Sequence, residues 1–230
     1  MSLKDYIKQN PSAWPVRFLA WAFSFLQGGR VSVKGQDNQV LRSGCFLKKS
    51  RIVVRGNHNR VVLDGGFNRL TDTTIYISGD NNEIVLGRNN NLNKGELWIE
   101  DQGGKIVFGN NTSMLGFTHV AVTEGESITF GDGCLFAPSV IFRVGDSHPV
   151  FDQTSGERVN PARSISVGNH VWFGNNTTIL KGVQIKDGSV VATGAIVTKS
   201  PEEGNVILAG NPAKVVKSNI DWQTDRPAKQ

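Results

Sequence analysis

The sequence predicts a mainly β protein, folded as a parallel β-helix of six-residue repeats. From residue 167 the chain runs through six hexads without a slip: VGNHVW, FGNNTT, ILKGVQ, IKDGSV, VATGAI and VTKSPE. Their first positions hold large apolar side chains, and their fifth positions hold mostly small or β-branched ones. One large and one small inward residue per hexad suits a narrow prism with short, flat strands. About three hexads make one turn of such a prism, so these six predict about two coils.

The corners of the prism are predicted from glycine and asparagine. Gly168 and Gly174 occupy the second positions of the first two hexads, and we expect them to turn corners with φ above zero. The asparagine cluster at residues 89–91 is interpreted in the same way, because asparagine tolerates the left-handed region. Stacked asparagine ladders are therefore expected at these corners.

The repeat extends upstream in a looser form. Phe130, Phe136 and Phe142 stand at the first positions of FGDGCL, FAPSVI and FRVGDS, which predicts one more coil. Farther back, strand-like segments that end in Gly or Asn corners begin at Val31 and Ile52, among others, with spacings typical of slightly enlarged coils. Residues 30–200 are therefore predicted to form a single elongated domain, without space for a second core.

The two ends are predicted to cap this prism. Residues 1–29 are interpreted as a short helical cap stopped by Gly28 and Gly29, and residues 201–230 as a C-terminal cap and tail. The apolar run 14–26 is too short to cross a membrane and contains Arg17. A cap is preferred because an open β-helix end needs covering; the alternative is an interfacial helix on the inner membrane face.

Composition narrows the choice of partners and compartment. A formal net charge of +5 and a pI near 9.3 favour anionic partners, but no nucleic-acid-binding motif is present, so no nucleic acid is expected. Pro15 and Arg17 interrupt the apolar run, which argues against a signal peptide. The two cysteines, Cys45 and Cys134, are typical of a reduced protein, and we expect a cytoplasmic location.

The repeat breaks at His148, and we expect the chemistry there. Counting six from Phe142 places an imidazole where an aliphatic side chain should stand, and Pro149 follows. Residues 149–164 then leave the repeat, which predicts a hairpin excursion with its tip near residues 155–156. Asp146 stands two residues before the histidine and is expected to orient its ring, and Trp172 follows in the next coil. His58 and His170 are predicted to face solvent, while a role for His119 near the cleft stays open.

Three segments resemble one known family. DSHPVFDQTSGERVN, ISVGNHVWFGNNTTILKGVQIKDGSVVATGAIVTK and NVILAGNPAKVVK are similar to the left-handed β-helix O-acetyltransferases of the galactoside, maltose and capsular-polysaccharide group. The resemblance covers residues 128–217. It implies a left-handed helix, a homotrimer with active sites between neighbouring prisms, and acetyl-CoA as the donor.

The resemblance also implies roles for individual residues. The family's general base corresponds to His148, and Trp172 and Asn175 correspond to residues beside the thioester. The residues implied to contact CoA are Thr198, Lys199, Lys214 and Lys217. A neutral imidazole would remove the proton of a sugar hydroxyl as that hydroxyl attacks the thioester, in a direct transfer without an acyl-enzyme. The implied acceptor is a bacterial surface polysaccharide or its precursor.

Three alternatives stay open. A sugar N-acyltransferase acting on an amino sugar nucleotide would use the same base, with Asp152 or Glu157 near the amine. A γ-type carbonic anhydrase needs three converging histidines, two of them close in sequence, and His119, His148 and His170 are not so spaced; no metal is expected. An inactive β-helix scaffold would leave the break at His148 unexplained.

Overall fold

The computed structural model describes residues 2–63 and 66–225, so residues 226–230 of the predicted tail lie outside the described part. These ranges contain two helices, α1 (Leu3–Gln9) and α2 (Trp14–Leu26). The strands in chain order are β1 (Arg30–Lys34), β2 (Gln39–Leu41), β3 (Cys45–Lys48), β4 (Arg51–Arg55), β5 (Arg60–Val62), β6 (Asn68–Thr71), β7 (Thr74–Ser78), β8 (Glu83–Leu86), β9 (Asn91–Asn93), β10 (Gly95–Glu100), β11 (Lys105–Phe108), β12 (Ser113–Met114), β13 (Thr118–Val122), β14 (Ser127–Phe130), β15 (Leu135–Phe136), β16 (Val140–Arg143), β17 (Ile165–Val167), β18 (Trp172–Phe173), β19 (Thr178–Leu180), β20 (Gln184–Ile185), β21 (Val190–Val191), β22 (Ile196–Val197), β23 (Ile207–Gly210) and β24 (Ala213–Lys217).

Three sheets form the faces of a prism, and successive strands move from one face to the next. Face A has the order β1-β4-β7-β10-β13-β16-β19-β22, and face B has the order β2-β5-β8-β11-β14-β17-β20. Face C has the order β24-β23-β21-β18-β15-β12-β9-β6-β3. All neighbours are parallel except β23 and β24, which pair antiparallel. The predicted parallel β-helix is confirmed, and the eight strands of face A give about eight turns.

The hexad pattern describes the core of the last coils. Each first position is a buried strand residue, and each fifth position is buried beside it: Val167, Val171, Phe173, Thr177, Ile179, Val183, Ile185, Ser189, Val191, Ala195 and Val197. Trp172 pairs with Val190 and Thr178 pairs with Ile196, so one coil here takes 18 residues, or three hexads. The upstream phenylalanines stack inside the same core, with 4.9 Å between the ring centroids of Phe136 and Phe173.

Corner residues with positive φ occur as predicted, but they stand at the fourth position of the hexad and not at the second. Positive φ occurs at the fourth position of five successive hexads: His170, Asn176, Gly182, Gly188 and Gly194. Gly168 instead stands where coils approach closely, because a Cβ atom there would lie 2.0 Å from the Asp187 Oδ1 atom. Glycine at the second position is thus required by steric closeness between coils.

The N-terminal segment forms two helices where the sequence predicted one. Ser2 caps α1, with its hydroxyl accepting from the Asp5 N–H, and the helix ends at Gln9 before Pro11. Pro15 then stands in the first turn of α2, where its missing N–H costs no helical hydrogen bond. The second helix ends at Leu26, and Gly28 follows with φ of 75°, so the predicted glycine stop is confirmed. No helix among the described residues is long and apolar enough to cross a membrane.

Candidate active site

The excursion leaves the prism at the corner between faces A and B. β16 ends at Arg143, before the predicted start of the excursion at residue 149, and the chain rejoins the prism at β17, where the return was predicted. Phe151 and Arg158 form an isolated antiparallel bridge, and Gly156 at the tip has φ of 71°. The Asp152 carboxylate accepts the N–H groups of Thr154 and Ser155, each at 2.8 Å, which closes the turn. The predicted hairpin with its tip near residue 156 is confirmed.

The returning strand of the hairpin is fastened to the preceding coil. The Arg158 guanidinium donates to both carboxylate oxygens of Glu124, at 2.5 and 3.0 Å. Glu124 also accepts from the Ala162 N–H at 3.2 Å. The hydrogen bond from Arg158, followed by that from Ala162, lowers the pKa of the Glu124 carboxyl, so the anchor stays charged near neutral pH.

The Asn160 side chain holds the backbone that leaves His148 on its carboxyl side. Its Nδ2 donates to the His148 carbonyl at 2.9 Å, and its Oδ1 accepts from the Val150 N–H at 2.6 Å. Asn160 itself is buried, whereas His148 is exposed. Within residues 2–63 and 66–225 the His148 ring has no hydrogen-bond or ion-pair partner. The backbone around the histidine is therefore fixed while its imidazole faces outward.

The contacts of Asp146 differ from those expected of a residue that orients the ring. Its Oδ2 accepts from the Lys181 ammonium at 2.5 Å and from Asn160 Nδ2 at 2.8 Å. Lys181 also donates to the Asn160 carbonyl at 3.1 Å. The hydrogen bond from Lys181, followed by that from Asn160, lowers the pKa of the Asp146 carboxyl. Asp146 thus contacts the foot of the excursion, and among the described residues its carboxylate has no hydrogen bond or ion pair with the imidazole of His148.

A cleft of about 520 Å³ lies beside the excursion on face A. Its lining includes Trp98, His119, Arg143, Asp146 and Pro149. His119 Nδ1 lies 3.0 Å from Glu96 Oε2, so the histidine whose role stayed open faces this cleft and already has a carboxylate partner. His148 is not among the residues that line it. The exposed histidine expected to be the base thus lies beside this cleft, between the lining residues Ser147 and Pro149.

The predicted site residues fall into two separate groups. Asp146 and His148 stand at the corner between faces A and B. Thr198 and Lys199 follow β22 of face A and lead toward the same corner. The next residue, Ser200, marks this corner, because its hydroxyl accepts from the Gln184 N–H of face B. Trp172, Lys214 and Lys217 lie on face C, and Asn175 lies just beyond its edge, between β18 and β19. A corner between faces A and B is opposite face C in a three-sided prism. One chain alone does not bring His148 and Trp172 together.

Face C nevertheless has the surface expected of a ligand-binding wall. Trp172 is 39% exposed on the outside of β18, beside the buried Phe173. Lys214 and Lys217 are exposed on β24, the edge strand of the same sheet. Strands in a sheet are about 4.8 Å apart, so β24 lies roughly 14 Å from β18, three strand spacings away. Asn175 is also exposed.

Three contributors were missed by the sequence reasoning as parts of the site. Asn160 and Lys181 hold the excursion, and Trp222 returns from the tail to lie 6.0 Å from Trp172, centroid to centroid. Trp222 also stacks on His170 at 4.1 Å, and its indole donates to the His170 carbonyl. His170, which was predicted to face solvent, keeps 45% of its side chain exposed, while Trp222, 52 positions away, stacks on its ring. For Lys181, the available signal was an isolated basic residue at the corner one coil beyond the break.

Metal ligands and reactive thiols do not converge here. Among the described residues no group of three His, Cys, Asp or Glu side chains is arranged to hold a metal ion. Both cysteines are buried in the core, and burial raises the pKa of the Cys134 thiol to about 11 and that of Cys45 to about 12.

Comparison with known proteins finds acetyltransferases of sugars. The polysialic acid O-acetyltransferase of Escherichia coli O1:K1 is 37% identical over 115 residues, which is 50% of this chain and 37% of that protein. The galactoside O-acetyltransferase of Escherichia coli K12 is 35% identical over 103 residues, 45% of this chain and 50% of that protein. The matched segments thus span between about a third and half of these curated relatives. No known protein-family profile matches the chain.

The structural match extends much farther. The crystal structure of a polysialic-acid-specific acetyltransferase, NeuO, superposes with a TM-score of 0.77 and 31% sequence identity. The superposition covers 88% of this chain and 92% of that one. Because the agreement includes both the β-helix and its sequence, and not the break region alone, the chain belongs to the β-helix acetyltransferase family that includes the polysialic-acid-specific enzymes.

Proposed function

We propose that this protein transfers an acetyl group from acetyl-CoA to a hydroxyl of a bacterial surface polysaccharide or its precursor. The observation that carries the proposal is the nearly end-to-end similarity to a polysialic-acid-specific acetyltransferase. It is supported by the exposed histidine His148, whose carbonyl and the following Val150 N–H are both held by the buried Asn160 side chain. Polysialic acid is the first acceptor to test, because it is named for that relative.

His148 is the proposed general base. A sugar hydroxyl is a weak nucleophile near neutral pH, so its proton must leave as its oxygen attacks the thioester carbonyl. The imidazole takes that proton, and the tetrahedral intermediate collapses by breaking the C–S bond. The imidazolium then returns the proton to the departing CoA thiolate. The products are the sugar acetate ester and free CoA, and no bond to the protein forms.

The complete site is proposed to form between copies of this chain. His148 and Trp172 lie on opposite sides of one prism, whereas a threefold arrangement would bring the A/B corner of one copy against face C of the next. A homotrimer supplies three such junctions. In the homotrimer, the His148 imidazole of one copy would lie beside the Trp172 indole of the neighbouring copy.

The donor is proposed to lie along face C and the corner that faces it. Lys214 and Lys217 are exposed point charges on the edge strand, and lysine suits phosphate groups in that role. Thr198 and Lys199 would contribute from the opposing corner. Trp172 and Asn175 would flank the thioester end. These exposed cations and the exposed indole fit a long anionic ligand that has an apolar arm.

We propose a supporting role for Asp146. With Lys181 and Asn160 it forms a network at the foot of the excursion, and this network fixes the His148 backbone. In this role Asp146 positions the base through Asn160. The amine-acceptor alternative required a carboxylate from Asp152 or Glu157, and Asp152 is already engaged by two N–H groups of its own turn. Transfer to oxygen is the function proposed, because the relatives named above are O-acetyltransferases.

The test combines acetyl-CoA binding with product analysis. Calorimetry should give about one acetyl-CoA per chain, weakened by Lys214→Gln and Lys199→Gln but not by His148→Asn. With polysialic acid present, free CoA thiol should appear together with an acetyl product that mild alkali removes, as expected of an ester. An alkali-stable product would indicate an amide and N-transfer. Failure to bind acetyl-CoA at millimolar concentration would contradict the proposal.

A further inference from the structure

The second helix has two chemically different faces. Val16, Ala20 and Ser24 are buried and lie one turn apart, so a narrow stripe of small side chains packs on the first coil. The Ser24 hydroxyl accepts from the Leu47 N–H of β3 at 3.1 Å and donates to the Ala20 carbonyl at 2.6 Å. This contact fixes the rotation of α2, and it therefore decides which residues point away from the prism.

The outward side of α2 is an aromatic face, composed of Trp14, Phe18, Trp21 and Phe25. Each of these side chains is more than half exposed. Successive rings lie 5.9, 6.1 and 5.9 Å apart, centroid to centroid, so they form a continuous ladder along the helix. A monomeric soluble protein rarely exposes a contiguous apolar surface of this kind without a binding role.

The end of the prism beside α2 is also apolar and open. Val31 and Val33 stand in register with Ile52 and Val54, which are buried, yet both valines are about 40% exposed because β1 is the edge strand of face A. A groove of about 460 Å³ lies between the aromatic face and residues 40–43 of the first coil. Arg17 and Arg42 are among its lining residues, so cations stand at the rim of the apolar surface.

Charge is concentrated at the same end of the chain. Residues 1–63 contain 11 lysines and arginines against 2 acidic residues, whereas residues 64–230 contain 14 against 18. The net charge is thus +9 in the first segment and −4 in the remainder. The overall value of +5 hides a strongly polarised molecule whose basic end carries the exposed aromatic side chains.

We infer that this end is a membrane-docking surface for an anionic lipid bilayer, on which α2 lies parallel to the membrane plane. Tryptophan and phenylalanine enter the boundary between headgroups and acyl chains, and surrounding lysines and arginines are attracted to anionic headgroups. A second copy is a poorer occupant, because two ends of charge +9 repel each other. The inference concerns a surface outside the proposed catalytic residues, and it does not depend on the proposed reaction.

The test is flotation of the purified full-length chain with vesicles. Vesicles of phosphatidylethanolamine and phosphatidylglycerol should carry the protein upward, and vesicles of phosphatidylcholine alone should carry much less. Phe18→Ser combined with Trp21→Ser should lower the bound fraction about tenfold or more. Arg17→Gln combined with Arg42→Gln should weaken binding on the order of tenfold, and added salt should have the same effect on the wild type.

Two control variants match these changes away from the docking surface. Leu115→Ser removes an exposed apolar side chain, and Arg88→Gln removes an exposed charge, both in the acidic part of the chain. Neither should alter flotation. Light scattering of each variant reports whether the aromatic face instead joins copies of the chain. A change in oligomeric state on Phe18→Ser/Trp21→Ser, or equal flotation of wild type and that variant, would overturn the inference.

Discussion

His148 is the residue on which the proposed reaction depends most directly. Replacing it by asparagine removes the basic nitrogen while keeping a polar side chain, and kcat should fall by about 10²- to 10⁴-fold because positioned general bases typically contribute that much. Turnover of acetyl-CoA with a saturating sugar acceptor measures the effect.

His58→Asn provides the matched control for this substitution. His58 is exposed at a corner with φ of 56°, which asparagine tolerates, and its nearest charged group is Asp37 at 3.6 Å. The acetyltransferase activity of His58→Asn should equal that of the wild type. If His148→Asn keeps activity within a few-fold of the wild type, the assignment of the base fails.

Lys181 tests the network that positions the base. Lys181→Met keeps the length of the side chain but removes the ammonium that holds Asp146 and the Asn160 carbonyl. We expect kcat to fall about tenfold, because the foot of the excursion loosens, with KM for acetyl-CoA nearly unchanged. Steady-state kinetics separates the two constants.

Lys186→Met is the comparison for Lys181. Lys186 is exposed in the next hexad, and its ammonium contacts the Glu202 carbonyl outside the proposed site. Its kinetic constants should match those of the wild type. Equal losses of kcat in the two variants would mean that the Lys181 effect is a general loss of corner stability.

Ladders of buried asparagines stabilise the irregular upstream coils. Asn82 Oδ1 accepts from the Gly104 N–H at 2.7 Å, and its Nδ2 donates to the Asp101 carbonyl at 3.0 Å. Its own N–H in turn donates to the side chain of Asn59. Each side chain thus satisfies backbone groups that the enlarged corner would leave unpaired, which is why these coils retain asparagine while departing from the hexad.

Asn82→Ala should therefore destabilise the prism by about 1–3 kcal/mol, because a buried donor and a buried acceptor lose their partner. Urea unfolding followed by circular dichroism measures the change. The neighbouring Asn81 is exposed with φ of 59°, and no hydrogen bond of its side chain is found in the described ranges. Asn81→Gly should change stability by less than about 0.5 kcal/mol. Similar losses in both variants would refute the ladder's role.

In the whole prism, His148 lies at the corner between faces A and B, and Trp172 lies on face C. This separation allows a test of whether the active site is built from two copies of the chain. His148→Asn and Trp172→Ala should each be nearly inactive alone. In every mixed trimer, one junction in three would pair an intact corner with an intact face, so about a third of wild-type activity should return. Co-expression with two affinity tags isolates the mixed assemblies.

The comparison for this experiment is a chain that carries both substitutions. Mixed with His148→Asn, it supplies no intact corner, so activity should not return. Recovery in the first mixture and none in the second would indicate sites built from two copies. Verified mixed trimers that stay inactive would mean that each chain holds its own site.

The sequence by itself determined the fold because a β-helix is built from local repeats. The hexads from Val167 onward specify which side chains face inward, and they predicted the buried residues of the last coils without knowledge of long-range contacts. The break at His148 and the hairpin that follows it were visible for the same reason, since an interruption is as local as the repeat.

The tertiary structure alone decided which residues meet. Lys181 reaches Asp146 across 35 positions, and Trp222 covers His170 across 52 positions. Neither contact has a periodic signal, because each depends on how corners stack and how the tail returns along the prism. The structure also placed His148 and Trp172 on opposite sides of the prism. The face on which a residue lies depends on the number of corners that the chain turns before it. The excursion enlarges one of the corners between His148 and Trp172, so the repeat alone does not give this number.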